Sequence, residues 1–119
     1  MSITDIFFSF NGRIGRSTFW LYGVLGLGII GFVVGLIVGV VSQSKGSALA
    51  GIASLVGLVL DVVLIWAGLA ISVKRWHDRG KSGWWILIGL VPLIGGLWVL
   101  IETGFLPGTD GPNQFGPQP

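Results

Sequence analysis

Cysteine is absent from this 119-residue chain, which excludes disulfides, thiolate nucleophiles and cysteine metal ligands and leaves the redox compartment open. Charge is scarce as well. Only 10% of the residues are Asp, Glu, Lys or Arg, against about a quarter in soluble domains. One histidine and five scattered acids cannot assemble the three or four ligands of a metal site, and no serine stands in a nucleophile motif, so no cofactor and no catalysis by one copy are expected. The few cations flank apolar stretches instead of forming one basic face, which argues against a nucleic-acid partner. What the chain does have is apolar length. Hydrophobic residues make up 52% of it and the mean hydropathy is +0.87, pointing to the bilayer as solvent.

Three stretches carry that apolarity: residues 17–41, 48–73 and 84–101. A spanning helix needs roughly 20 apolar residues, so the first two suffice and the third is marginal. Pro92 removes a backbone donor near the middle of the third. A kinked span is the expectation there, with a re-entrant hairpin over residues 91–96 as the competing reading. A cleaved signal peptide is the competing reading for the first stretch, but its apolar core far exceeds the 7–15 residues such peptides use. Ahead of it, in segment 1–12, Ile3, Ile6, Phe7 and Phe10 share a helical face and Ser2 and Asp5 are placed like a capping box. A short helix lying at the interface, apolar face toward the acyl chains, is predicted. The tail, 103–119, holds four of the five prolines and is predicted to be extended. The fold class is therefore an all-α membrane protein: a three-helix transmembrane bundle, an interfacial N-terminal helix and an extended Gly/Pro-rich tail.

Cations give the bundle a direction. With three spans, Arg13, Arg16, Lys74, Arg75, Arg79 and Lys81 fall on one side and Lys45 alone on the other. The asymmetry predicts that the N-terminus and the basic loop 74–83 are cytoplasmic. It leaves the tail, with Glu102 and Asp110, outside. Within the spans, Gly31, Gly35 and Gly39 form consecutive G-x-x-x-G steps, and Gly57 and Gly68 lie on the second span. Such faces let helices approach closely, either inside the bundle or toward another protein or a second copy. Asp61 is the one ionisable residue deep in a span. Its ionised form costs about 2.5–3.5 kcal/mol at a helix centre. A neutral Asp61 would donate a hydrogen bond to a neighbouring helix. The functional alternative is a proton or cation conductor assembled from several copies around it. His77 and Asp78 invite a catalytic reading, but a structural one is preferred: Asp78 balances the surrounding cations and Ser82 caps the third span. The cations are also expected to hold anionic lipid headgroups, and Trp20, Trp76, Trp84, Trp85 and Trp98 to form interfacial anchors.

Four separated motifs resemble those of the YhaH-type bacterial inner-membrane family, domain of unknown function 805. Phe10, Gly12 and Arg13, then Arg16 and Phe19-Trp20, are similar to its F-x-G-R-x-x-R-x-x-(F/Y)-W. Arg75, His77 and Asp78, continuing to Ser82, Trp84 and Trp85, resemble its R-R-L-H-D…S-x-W-W, with Trp76 in place of leucine. Pro92 begins a matching proline step, and Asn113, Phe115, Gly116 and Pro119 resemble its terminal G-x-N-R-F-G-x-x-P, with Gln114 where arginine is usual. The resemblance implies an inner-membrane location and supports treating loop and tail as functional elements. It supplies no reaction. The expectation is a non-catalytic accessory or interaction subunit whose partners are the lipid bilayer, anionic lipids, and other membrane proteins or further copies of itself.

Overall fold

The computed structural model describes residues 1–43 and 48–119. Lys45 and most of the polar loop around it lie outside the described residues. Every described element is helical: α1 (Ile3–Phe8), α2 (Arg16–Ser42), α3 (Ala48–Asp78), a 3₁₀ helix (Gly83–Leu90) and α4 (Ile94–Phe105). At a rise near 1.5 Å per residue, α2 reaches about 40 Å and α3 about 46 Å, so both exceed the roughly 30 Å hydrocarbon core. Lipid is as apolar as leucine, so shape rather than hydrophobic transfer holds such helices together. Gly57 supplies the closest fit, since a Cβ there would lie 2.8 Å from Val38 Cγ2. Gly31 and Gly68 meet Leu64 and Leu27 at ordinary contact distance, whereas Gly35 and Gly39 face open space.

The third apolar stretch does not form the kinked span expected of it. After the 3₁₀ helix the chain reverses at Pro92-Leu93, where the Ile94 amide donates to the Pro92 carbonyl at 2.7 Å and Leu93 takes φ +65° and ψ −63°. This is a γ-turn, a strained geometry for a leucine. α4 then returns antiparallel along the 3₁₀ helix. Trp85 and Trp98 stack with centroids 6.4 Å apart, and Gly95 is seated so closely that a Cβ there would fall 2.0 Å from the Ile88 carbonyl oxygen. A proline without a donor and a glycine without a side chain make the reversal possible. The hairpin is shallow: eight residues at about 2.0 Å rise give roughly 16 Å, half the hydrocarbon thickness.

Other expectations are corrected by the same geometry. Because the hairpin returns, the tail lies at the end of the molecule that carries Lys74 to Lys81, not at the opposite end. Glu102 sits 2.6 Å from Lys81 Nζ and 3.4 Å from Arg79 Nε. The basic loop is shorter than 74–83, since α3 continues to Asp78 and closes in a Schellman motif: Gly80, at φ +77°, donates to the His77 carbonyl and Lys81 to the Trp76 carbonyl. α1 is capped by Ser2, whose Oγ accepts from the Asp5 amide at 3.2 Å. α1 buries Ile6 and packs on the long helices, with Phe7 edge-on to Tyr22 and, just beyond its end, Phe10 edge-on to Trp66, while Ile3 and Phe8 stay exposed. Trp76 is fully buried and so is no interfacial anchor.

Candidate functional site

Three helices end close together at one pole of the molecule, and each leaves backbone carbonyls that no residue of its own helix can satisfy. Near a membrane such groups cost several kcal/mol if left bare. The described side chains that converge there answer that demand almost one for one. Lys74 Nζ donates to the carbonyls of Asp5, Ile6 (2.5 Å) and Ser9 (2.7 Å), closing the end of α1. At the end of α4, Arg75 takes Thr103 (2.6 Å) and Leu106, Trp20 takes Gly104 (2.7 Å), and Arg16 takes Phe105 (3.0 Å). Cations at helix C-termini are also favoured by the dipole. The tail closes α3: the Thr109 amide donates to the Asp78 carbonyl at 2.8 Å and Asn113 Nδ2 to the His77 carbonyl at 2.9 Å.

One carboxylate holds the assembly together. Asp78 accepts from Arg13 Nε at 3.0 Å through Oδ1 and from Arg75 Nη1 at 2.5 Å through Oδ2. All three residues are buried, so the charges are neutralised by one another and by carbonyl dipoles. Arg13 spends its remaining donors on the tail, reaching the carbonyls of Thr109 (2.7 Å), Gly111 (2.7 Å) and Gly116 (3.2 Å). The tail comes so near the carboxylate that a Cβ on Gly108 would stand 2.1 Å from Oδ2. His77 donates through Nδ1 to the Gly12 carbonyl at 2.9 Å and lies flat on Phe115, rings 4.0 Å apart and 4° from parallel. His77 lies past the apolar part of α3, and burial pushes its imidazole below the ordinary pKa despite that hydrogen bond, which acts the other way. Asn113 also orders its own turn, accepting from the Phe115 amide at 2.8 Å while Gly116 adopts φ +136°.

The residues singled out from sequence divide sharply. Gly12, Arg13, Arg16, Trp20, Arg75, His77, Asp78, Asn113, Phe115 and Gly116 all meet in this cap. Pro92 is remote from it, at the hairpin turn, and Trp84 is exposed. Trp85 stacks between Trp76 and Trp98, with Lys81 4.6 Å above its ring. Ser82 occupies the N-cap of the 3₁₀ helix but forms no side-chain cap bond; its carbonyl accepts from Trp85 instead. Arg13, Lys74 and Arg75 are not free to grip lipid headgroups, because their donors are taken within the chain. Asp61 and the open glycines lie elsewhere, in a groove between α2 and α3. Sequence reasoning counted Lys74 only among the cations of one side, placed Glu102 on the other, and missed Thr109 and Gly108. Only Glu102 left a signal: an acid closing an apolar stretch whose other end carries Arg79 and Lys81.

The family model for DUF805, described as a protein of unknown function, matches residues 7–117. The chain belongs to the DUF805 family. That match runs from the end of α1 to Pro117 and so includes every side chain of the cap named above, though not the Asp5 and Ile6 carbonyls. Among similar proteins, the inner membrane protein YhaH of Escherichia coli (strain K12) is 32% identical over 119 residues, covering 100% of this chain and 93% of the relative. Inner membrane protein YhaI of the same organism is 31% identical over 120 residues, covering 100% and 92%, and the uncharacterized protein YiiR 32% over 140 residues, covering 98% and 89%. No solved structure matches the chain. The family description supplies no reaction.

Proposed function

We propose that this DUF805 protein is a two-span inner-membrane protein with a re-entrant hairpin, acting without catalysis of its own as an accessory subunit that packs against other membrane proteins. The observation that carries this reading is the fate of the polar side chains. Arg13, Arg75 and Asp78 saturate one another and the tail, and His77 is held between a carbonyl and a ring, so the ionisable groups act as a structural clasp. The names of the relatives support the inner membrane. The six cations gathered with the tail at one pole support placing that pole in the cytoplasm, which puts both termini there. A conductor would need polar groups in sequence across the bilayer; among the described residues, the polar side chains in the α2–α3 groove are Ser54 and Asp61 alone.

The test is native mass spectrometry of particles cut from native membranes with an amphipathic polymer. The expected result is an assembly with more than one polypeptide. A single chain accompanied by lipid only overturns the reading. An impermeant thiol reagent applied to intact cells should spare cysteines introduced at Thr4 and Pro117, while labelling both in inverted vesicles.

A further inference from the structure

The shallow hairpin leaves α2 and α3 without a third helix of their own chain beyond about 16 Å from the cap. In that half an open groove of about 390 Å³ runs between them, and Gly35, Gly39, Ser54, Leu58 and Asp61 line it. Asp61 is exposed, and among the described residues no hydrogen bond or ion pair reaches its carboxyl. It stands 13 residues from Lys74, about 20 Å along α3, well inside the bilayer. A carboxyl turned toward lipid at that depth is costly and calls for a polar partner.

We propose that the occupant of this groove is a second copy of the chain, the two α2–α3 faces meeting around an axis along the membrane normal with Asp61 against Asp61. The proposal rests on the interaction reading above and names its partner. Copies inserted in one orientation hold Asp61 at one depth, so a two-fold contact delivers each carboxyl to its counterpart. A protonated carboxyl donates one hydrogen bond and accepts another. Two such groups therefore satisfy each other without a cation, and neither residues 17–42 nor residues 48–73 contain one. Gly35 and Gly39, with no side chain and nothing within 4 Å of a built Cβ, leave room for the second backbone to approach.

A chain without cysteine permits a clean test. Purified full-length protein is reconstituted in phosphatidylcholine vesicles with a single Leu58→Cys or Val59→Cys replacement, then oxidised. Both positions are exposed at one depth, but Leu58 borders the groove and Val59 lies about 100° around the helix. The expected result is a disulfide-linked dimer from Leu58→Cys at several times the yield of Val59→Cys. In fluorescence energy transfer between labelled copies, Asp61→Leu should weaken the dimer about three- to twenty-fold, the range of a hydrogen bond between membrane helices, and Asp61→Asn, which still donates and accepts, should retain it. Equal cross-linking at both positions, or an Asp61→Leu dimer as tight as the parent, overturns the proposal. So does a chain that stays monomeric in vesicles; if it still occurs with a different polypeptide in polymer-cut particles, the interaction reading survives and the second copy does not.

Discussion

The two halves of this molecule are held by opposite means. At the cap, Lys74, Arg75 and Trp76 are fully buried and helix ends are tied by directional bonds. In the other half, Gly35 and Gly39 face open space, and Val40 and Leu58 leave 71% and 60% of their surface open. Apolar side chains gain little by leaving lipid for protein, so they specify position weakly. Buried hydrogen-bonding groups have one good arrangement and many costly ones. The chain concentrates its specificity where polar groups are forced together, and leaves the apolar half free for what surrounds it.

Five substitutions break or sharpen this contrast, from the largest effect to the smallest. Asp78→Ala strips two buried guanidinium groups of their shared counter-charge and should cost about 3–5 kcal/mol. Thermal unfolding in micelles would show it, with the tail becoming open to protease; an unchanged melting temperature would remove Asp78 from the centre of the cap. Gly95→Ala forces a methyl into the Ile88 carbonyl and should cost about 1–3 kcal/mol by overpacking, read as loss of the Trp85–Trp98 stacking signal in near-ultraviolet circular dichroism.

Phe115→Ala removes the His77 stack and should cost about 0.5–1.5 kcal/mol, measured as faster proteolysis of the tail with the spans intact. The same stack predicts a pH dependence. Folding holds His77 below its unfolded pKa, so its neutral form is favoured in the fold; stability should be full above the unfolded value near 6.5 and decline as the pH falls below it. His77→Gln should flatten that decline. Gly35→Leu, facing open space, should change the unfolding of a single chain by no more than about 0.5 kcal/mol. A larger loss would mean that the groove is part of the intrachain packing, and the two halves would no longer differ as described.

Much of this was legible from residues alone. Two spans longer than the bilayer, the clustering of six cations, and the Ser2 cap of α1 follow from composition and local pattern, because apolar length and capping are short-range properties. The hairpin was legible only as an alternative: Pro92 marks a break, but a break is compatible with a kink or a reversal, and the choice depends on Gly95 meeting Ile88. That one choice decided which end of the molecule carries the tail, and with it the meeting of Glu102 with Lys81. Most residues of the cap were singled out, but the bonds between them had no one-dimensional signature. These bonds run from side chains to backbone carbonyls, and a carbonyl is present at every residue, so no residue type advertises that Arg75 will close α4 or Lys74 close α1. The sequence by itself determined that this chain lives in a membrane, where its two long helices run, and which residue types gather at one end. Tertiary structure decided how those residues are spent, because an unsatisfied carbonyl acquires a partner only when another part of the chain folds back to supply one.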